Sequence, residues 1–354
     1  MSSITLRQGI DALPPYVPGR RPDATSASAG QQPARLASNE QTMAPPRAII
    51  EAITAAAEAA NRYPDFGNGA LIARLAEVYG VGIDRVAVGN GSSALIRDLV
   101  AALCGPGDEV VFAQPSFPYY RNATIAAGAR PHGVPLRDFG HDLPALRAAI
   151  GPDTKLVFIC NPNNPTGTVV DPQALRDFVA EVPENVVVAI DEAYIEFADA
   201  ADVALDLVRD RANVIVLRTF SKAYGLAGMR VGYAIGPTEL IAGMSRLAVP
   251  FAVNAVAQAA AVAALEPDTL TELRQRIALG VSERERLAAE LVQLGYRVVP
   301  SSANFIFLPS EDPDALASRL ERSDVFVRAI GGGVRITVGL RAENDRVIAA
   351  LAEG

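Results

Sequence analysis

The feature that most restricts the fold of this 354-residue chain is a series of short, continuous apolar runs separated by helical segments. The runs lie at 86–88, 110–112, 156–160, 186–190, 214–217 and 231–235. Nearly all of them are continuously apolar, which is typical of strands that are buried on both faces of a sheet. Helical patterns separate many of the runs, at about 92–103, 117–127, 142–150, 172–181 and 201–210. This alternation predicts an α/β fold with a mostly parallel sheet.

The pattern changes near residue 250, which predicts a second domain. Long helical patterns at 254–265 and 268–294 are followed by short apolar runs and further helices. The short runs lie at 296–299, 305–308, 325–328 and 334–338, and the helices near 313–321 and 343–352. We therefore expect a large domain at 41–250 and a smaller α/β domain at 251–354. The loosely built residues 1–40 predict an N-terminal arm that packs on the small domain or on a partner.

Composition excludes several kinds of chemistry. The chain has only two histidines and two cysteines. A histidine-rich metal site, a disulfide framework and a CxxC zinc site are therefore excluded, and no metal is predicted. A Ser-His-Asp hydrolase would need His132 or His141 as its base. If this chain is an enzyme, it must use residues other than histidine for proton transfer.

Charge and hydropathy give no sign of nucleic-acid or membrane partners. The formal net charge is −8, from 40 acidic and 32 basic residues, so no electrostatic footprint for nucleic acid or anionic lipid is expected. No run approaches the ~18–20 apolar residues of a spanning helix, and residues 1–11 lack the apolar stretch of a signal peptide. The expected location is the cytoplasm.

Ligands of open α/β sheets bind beyond the carboxyl ends of the strands, so the segments that follow the predicted strands are the candidate site. The segment G-N-G-S-S at 89–93 enters a helix and could bind phosphate, although a helix cap by Ser92 explains it equally well. The segment Q-P-S-F-P-Y-Y at 114–120 supplies rings that could stack on a flat ligand or simply pack in the core. Tyr119 and Tyr120 are expected to pack within a helix.

The next strand ends carry more specific signals. The stiff turn N-P-N-N-P-T-G at 161–167 holds several amides in place, and Asp191 puts a carboxylate at the end of a buried strand. Lys222 follows another strand among small residues, where an amine can be desolvated enough to act as a nucleophile, with Ser221 and Arg230 as anion ligands. Pyridoxal phosphate requires a lysine for its Schiff base and an acid for its ring nitrogen. These residues predict that cofactor, and a lysine could then do the proton work.

The motifs also carry a family resemblance. N-P-N-N-P-T-G at 161–167, D-E-A-Y at 191–194 and T-F-S-K-A-Y-G-L-A-G-M-R at 219–230, in this order and spacing, resemble the fold-type-I pyridoxal-phosphate aminotransferases. The resemblance runs from about residue 36 onward, and it is greatest to the branch of histidinol-phosphate and actinobacterial aromatic amino acid aminotransferases. It implies a large domain with a mostly parallel sheet of the seven-stranded type sandwiched by helices, a smaller α/β C-terminal domain, pyridoxal 5′-phosphate and a homodimer.

The resemblance implies roles for individual residues. Lys222 would form the Schiff base and move the proton, Asp191 would pair with the ring nitrogen, and Tyr194 and Asn164 would bond the phenolic oxygen of the cofactor. The other expected cofactor ligands are Phe117 stacked on the ring, Gly91, Ser92, Ser93, Ser221 and Arg230 around the phosphate, and Tyr63 reaching the phosphate of the neighbouring subunit.

The substrate residues follow from the same resemblance. Arg335, in V-R-I-T-V at 334–338, would bind the substrate carboxylate, and Arg328 and Asn164 would assist it. A plain surface position on a strand is an equally good interpretation of Arg328. His132 and His141 fall in a polar connection and are expected to have no catalytic role, while Cys104 and Cys160 are expected in the core.

The expected reaction is a ping-pong transfer of the amino group from aromatic L-amino acids to 2-oxoglutarate. Relatives that act on histidinol phosphate usually carry N-E-N-P-Y-G, whereas this chain has N-E-Q-T-M-A-P at 39–45 and the A-V-P-F-x-V-N run of the aromatic branch at 248–254. Histidinol phosphate remains the alternative substrate, and a pyridoxal-phosphate decarboxylase on the same scaffold is a further alternative. A nucleotide-binding protein is disfavoured because the chain lacks G-x-x-x-x-G-K-[ST].

Overall fold

A seven-stranded sheet lies at the centre of the chain, in a computed structural model that describes residues 9–13, 32–199 and 203–352. The strands of this described part are β1 (Ala34–Arg35), β2 (Val86–Gly89), β3 (Glu109–Gln114), β4 (Arg130–Pro135), β5 (Thr154–Cys160), β6 (Val187–Asp191), β7 (Val214–Thr219), β8 (Gly232–Ile235), β9 (Phe305–Pro309), β10 (Val325–Phe326), β11 (Arg328–Ile330) and β12 (Gly333–Thr337).

The helices cover both faces of the sheet and continue through the C-terminal part. They are α1 (Arg47–Ala57), α2 (Gly69–Tyr79), α3 (Ser92–Leu103), α4 (Tyr119–Ala127), α5 (Leu143–Ala148), α6 (Pro172–Glu181), α7 (Val203–Asp210), α8 (Thr238–Ser245), α9 (Ala255–Ala264), α10 (Pro267–Gln293), α11 (Pro313–Glu321) and α12 (Arg341–Ala352). None of the helices in the described ranges is both long enough and apolar enough to cross a bilayer.

The central sheet has the order β2-β8-β7-β6-β5-β3-β4. Its strands are parallel except β8, which is antiparallel to both of its neighbours. Alternate residues of β5 enter different cores: Val157 and Ile159 face one cluster, while Leu156 and Phe158 face the other. This two-sided burial explains why the strands are continuously apolar in sequence. The prediction of a mostly parallel, helix-covered sheet is confirmed.

Strand β4 was not predicted. Its sequence R-P-H-G-V-P contains two prolines and a glycine, which normally argue against a strand. It lies at the edge of the sheet, where proline is tolerated because one side of the strand has no ladder to complete. His132 therefore lies in an edge strand, and the expectation that it falls in a polar connection was wrong.

The C-terminal part has its own three-stranded sheet, in the order β11-β12-β9, and its own hydrophobic core. Two strand predictions were inexact there. The run at 296–299 makes only an isolated bridge, from Val299 to Phe307. The run at 325–328 is divided between β10 and β11.

The start of the second described range, from residue 32, packs on this C-terminal part. Strand β1 pairs in parallel with β10, and Ala34 and Leu36 are buried in the C-terminal core. Most of the expected arm at 1–40 lies outside the described residues. Helix α9 lies between the two parts in sequence, and its alanines pack in the core of the large sheet with Ile49 of α1. The division into domains at 41–250 and 251–354 remains a prediction.

Candidate active site

A cavity of about 440 Å³ opens where β5, β6 and β7 end. These strands end at Cys160, Asp191 and Thr219, and all three residues line it. The cavity brings together nearly all the residues expected to bind cofactor or substrate. They are Ser92, Ser93, Phe117, Asn164, Asp191, Tyr194, Ser221, Lys222, Arg230, Arg328 and Arg335.

Two expected residues do not line this cavity. Gly91 precedes Ser92 at a left-handed φ of 74°, and a Cβ at this position would come within 2.6 Å of Arg230 Nη2. The backbone conformation therefore favours glycine, and a larger residue would also displace the Arg230 guanidinium. Tyr63 is 82% exposed and stacks on Phe251, with ring centroids 4.6 Å apart.

Lys222 places its amine inside the cavity. Nζ donates a hydrogen bond to the Ser38 carbonyl at 3.1 Å and lies 5.9 Å from the centre of the Tyr194 ring. Burial, aided by the positive charges of Arg335 and Arg230 and opposed by Glu40, lowers the pKa of Lys222 to about 7. A substantial fraction of the amine is therefore neutral, and hence nucleophilic, near neutral pH.

Asp191 stands at the end of β6 with 2% of its surface exposed. Its Oδ2 accepts a hydrogen bond from the Tyr120 hydroxyl at 2.6 Å, whereas Oδ1 has no partner among the described residues. Burial raises the pKa of Asp191 to about 6, although the bonds from Tyr120 and the Ala193 amide oppose the rise. A buried carboxylate oxygen without a donor is costly, and a protonated ring nitrogen would supply the missing donor.

Tyr120 is the residue that the sequence interpretation missed. It is fully buried, its ring stacks on Phe158 at 4.3 Å, and the Phe117 ring meets it edge-on at 5.6 Å. It does pack within the fold, as expected, but its hydroxyl also orients Asp191. The available signal was proximity in sequence, because Tyr120 follows the expected ring-stacking residue Phe117 by three positions in the segment Q-P-S-F-P-Y-Y.

The opposite end of the cavity is suited to an anion. Ser92 and Ser93 begin helix α3, whose first amides have no partner within the helix. Arg230 Nη1 donates to Ser221 Oγ at 3.4 Å, and Thr219 Oγ1 donates to the same oxygen at 2.9 Å. Hydroxyls, helix amides and a guanidinium here match a phosphate group.

The C-terminal sheet supplies two arginines to the same cavity. Arg335 on β12 is buried, and its guanidinium donates to Asn164 Oδ1 at 2.6 Å and to the Ala37 carbonyl at 2.7 Å. Arg328 on β11 lies directly opposite Arg335 in the strand register. Both residues line the cavity, and Arg328 is partly buried, so its role toward the substrate stays a prediction.

The buried histidine and the two cysteines have structural positions. His141 accepts a hydrogen bond through Nε2 from the Cys160 amide at 3.2 Å, and burial lowers its pKa to about 4. His141 is therefore neutral at physiological pH and supports the end of β5. Cys104 and Cys160 are both buried, as expected.

The residues of the cavity fit pyridoxal 5′-phosphate at three points of its structure. The Lys222 amine suits the aldehyde, the partnerless Oδ1 of Asp191 suits the ring nitrogen, and the anion end around Arg230 suits the phosphate. Phe117 also lines the cavity and could pack against the ring of the cofactor.

The chain is similar to known proteins over nearly its whole length. The family described as "Aminotransferase class I and II" matches residues 32–351. The aromatic amino acid aminotransferase of Rhodococcus jostii (strain RHA1) is 46% identical over 347 residues, which cover 97% of this chain and 94% of that protein. The protein of the same name from Corynebacterium glutamicum (strain R) is 45% identical over 348 residues, 98% of each chain.

Solved structures show the same likeness. The histidinol-phosphate aminotransferase from Sinorhizobium meliloti, in complex with pyridoxal-5′-phosphate, superposes with a TM-score of 0.85 at 30% identity, covering 92% of this chain and 91% of that one. The aspartate aminotransferase from Thermus thermophilus with maleate has a TM-score of 0.84 at 24% identity and 99% coverage of both chains, a likeness of fold alone.

Proposed function

The chain belongs to the class I and II aminotransferases, and on that premise we propose that it transfers the amino group of phenylalanine and tyrosine to 2-oxoglutarate, giving aromatic oxo acids and L-glutamate. It is a pyridoxal-phosphate-dependent aminotransferase. The observation that carries the proposal is the presence of the Lys222 amine and the Arg335 guanidinium in one cavity. The aromatic substrate class is supported by relatives of that name at 45–46% identity over nearly the full chain.

The cofactor supplies an electron sink and a temporary carrier of the amino group. Lys222 Nζ would hold it covalently, and Oδ1 of Asp191 would bond its ring nitrogen. Asn164 and Tyr194 would bond its phenolic oxygen, with Phe117 against the ring. Its phosphate would be held by Gly91, Ser92, Ser93, Ser221 and Arg230.

Lys222 would perform the proton transfer. With a pKa of about 7, a substantial fraction of Nζ is neutral near neutral pH, so it can accept the proton from the substrate Cα and later donate it. One side chain thus serves first as base and then as acid. This role explains how a chain with two histidines, one of them kept neutral at the end of β5, catalyses proton transfers.

Arg335 would orient the substrate by a bidentate contact with its carboxylate, because a guanidinium held by Asn164 and Ala37 has little freedom left to lose. Arg328, directly across the strand pair, supplies a second positive charge. An acceptor with two carboxylates, such as 2-oxoglutarate, can use both. Because donor and acceptor need the same arginines in one cavity, they would bind in turn, which is a ping-pong scheme.

We also propose that the enzyme is a homodimer. Tyr63, Phe66 and Phe251 form an exposed aromatic cluster, with Phe66 packed edge-on against Phe251 at 5.4 Å. Phe66 and Phe251 line a second cavity of about 830 Å³, which extends to Arg230 beside the anion end of the active site. An exposed apolar cluster of this kind favours a protein interface. A second copy would cover it and receive Tyr63 at its own phosphate site.

A half-reaction screen tests the substrate. Phenylalanine, tyrosine, aspartate and histidinol phosphate are added separately to the cofactor-loaded protein without an acceptor, and loss of the visible absorbance is followed. We expect the two aromatic amino acids to react fastest. A much faster reaction with histidinol phosphate, the substrate named for the Sinorhizobium meliloti neighbour, would replace this proposal with that activity. Release of carbon dioxide would indicate a decarboxylase.

A further inference from the structure

Asn39 is a buried polar residue with an unusual backbone. It is 1% exposed, has a left-handed φ of 54°, and lies in residues 36–40, which we name the strap. Its amide N–H donates to Thr337 Oγ1 at 2.9 Å, and its carbonyl accepts from Asn304 Nδ2 at 3.1 Å. Asparagine is one of the few residues besides glycine that adopts this conformation readily. The strap is thereby fixed to the C-terminal sheet.

The side-chain amide of Asn39 is oriented by the same threonine. Thr337 Oγ1 accepts from the Asn39 backbone, and its single hydroxyl hydrogen is donated to Asn39 Oδ1 at 3.1 Å. The amide nitrogen then faces the other way and donates to Tyr194 Oη at 2.9 Å. A flipped amide would take this acceptor away from the Thr337 hydroxyl. The relay therefore runs from Thr337 through Asn39 to Tyr194.

The relay determines what the Tyr194 hydroxyl can do. Its oxygen already accepts from Asn39, so its own hydrogen is left to be donated, and Tyr194 lines the active-site cavity. We infer that Asn39 is a positioning residue that makes Tyr194 a hydrogen-bond donor toward the phenolic oxygen of the cofactor, an inference that rests on the cofactor site proposed above.

The relay starts on the strand that carries the carboxylate-binding arginine. Thr337 follows Arg335 by two residues on β12, so both side chains leave the same face of the strand. Arg335 bonds the Ala37 carbonyl, and Thr337 bonds Asn39, so β12 holds the strap at two points. The orientation of Asn39 thus depends on a rigid element, and not on the strap alone.

The test uses the pH at which the visible band of the cofactor-loaded protein titrates. A hydrogen donated by Tyr194 stabilises negative charge on the phenolic oxygen, and so lowers the pKa of the cofactor-linked nitrogen of Lys222. Asn39→Asp replaces the donor with an acceptor of the same size and tolerates the left-handed backbone. We expect the midpoint to rise by about one pH unit, because Tyr194 would turn its hydrogen toward residue 39.

Because the new carboxylate also raises the midpoint by its charge, the substitution is repeated in a Tyr194→Phe background. We expect a clearly smaller rise there, since the donation by Tyr194 is already lost. Thr337→Val adds no charge and releases the amide of Asn39, so it should raise the midpoint in the same direction. If thermal denaturation shows that Asn39→Asp does not fold, Thr337→Val is used as the test instead.

Asn304→Ala is the matched control, because it removes a hydrogen bond to the Asn39 carbonyl and leaves the three side chains of the relay in place. We expect its midpoint to equal that of the wild type. Equal rises for Asn39→Asp in both backgrounds, or a comparable rise for Asn304→Ala, would overturn the inference alone. If Tyr194→Phe by itself leaves the midpoint unchanged, the proposed contact of Tyr194 with the cofactor fails, and the inference fails with it.

Discussion

The Tyr120 hydroxyl is one of two donors that favour the ionised form of the buried Asp191 carboxyl. The Tyr120 bond at 2.6 Å opposes the rise that burial imposes on the pKa of Asp191, which stands at about 6. Tyr120→Phe removes that bond with little change of shape, so the pKa of Asp191 should rise further. If Asp191 bonds the ring nitrogen as proposed, its ionised form binds the cofactor, and the affinity of the cofactor-free protein for pyridoxal phosphate falls as pH falls through this pKa. We expect the pH midpoint of this loss to move up by about one unit.

Tyr119→Phe is the control for this experiment, because it removes a hydroxyl from the adjacent position of the same helix. Spectrophotometric titration of cofactor affinity at a series of pH values, for both variants, separates the two residues. A midpoint that stays in place in Tyr120→Phe would mean that the hydroxyl has no part in the ionisation of Asp191.

In the cofactor-free protein, the buried amine of Lys222 should lower the free energy of unfolding. Burial lowers its pKa from 10.5 in water to about 7, so protonation favours the unfolded chain. The resulting loss of stability is fully present below pH 7 and disappears as pH rises from 7 to 10.5. Lys222→Met keeps the shape without the charge. We expect it to be more stable by about 2 kcal/mol at pH 6.5 and to have lost nearly all turnover.

Thermal or urea unfolding of both cofactor-free proteins at pH 6.5 and 9.5 measures this difference. The gap between Lys222→Met and the wild type should be smaller at the higher pH. A gap that does not change with pH would show that the amine is not desolvated in the folded state.

At the scale of elements, the strand ends were the informative part of the sequence. Apolar runs located β5, β6 and β7, and the segments after them supplied Asn164, Asp191 and Lys222 to one cavity. Strand β4 was not predictable from propensity, because only its edge position makes its prolines acceptable. Long-range partners could not be predicted either, since Asn39 bonds a tyrosine 155 positions away. A sequence pattern can indicate which face of a helix or strand a residue occupies, but not which distant hydroxyl it bonds.

A buried ion pair joins the ends of two central strands. Glu192 follows β6, Arg218 lies on β7, and the two side chains are 2.7 Å apart with 2% and 4% exposed. Glu192→Gln would replace a charged partner of a buried guanidinium with a neutral one, so we expect a loss of about 3–5 kcal/mol in the free energy of unfolding. Urea denaturation measures this loss.

The control for that experiment is Glu77→Gln. Glu77 pairs with Arg74 at 2.6 Å on a helix surface, where ion pairs contribute less than about 1 kcal/mol. Similar losses in the two variants would contradict the view that burial makes the Glu192 pair costly to break.

At the scale of the whole molecule, the proposed dimer predicts complementation between two defective chains. Lys222→Ala lacks the amine, and Tyr63→Ala lacks the side chain given to the partner. In a heterodimer of the two, one site carries both defects and the other carries neither. Mixing equal amounts under exchange should restore about a quarter of wild-type activity, since about half of the dimers are hybrid and each has one intact site.

The activity of the mixture is measured, and native mass spectrometry gives the fraction of hybrid dimers. The mixture of Lys222→Ala with wild type is the control, because no new kind of intact site can form in it. Hybrid dimers without recovered activity would mean that Tyr63 serves its own chain.

The attachment of the strap to β12 has a consequence for how the protein is made. Asn39 leaves the ribosome early, yet its partner Thr337 is translated 298 residues later. At about 5–20 residues per second, the strap waits roughly 15–60 seconds for the strand that fixes it. The half of the site built on β5, β6 and β7 can fold in that interval, but the Tyr194 hydroxyl acquires its orientation only afterwards. The nascent enzyme therefore fixes the strap, an early-synthesised part of its active-site cavity, last.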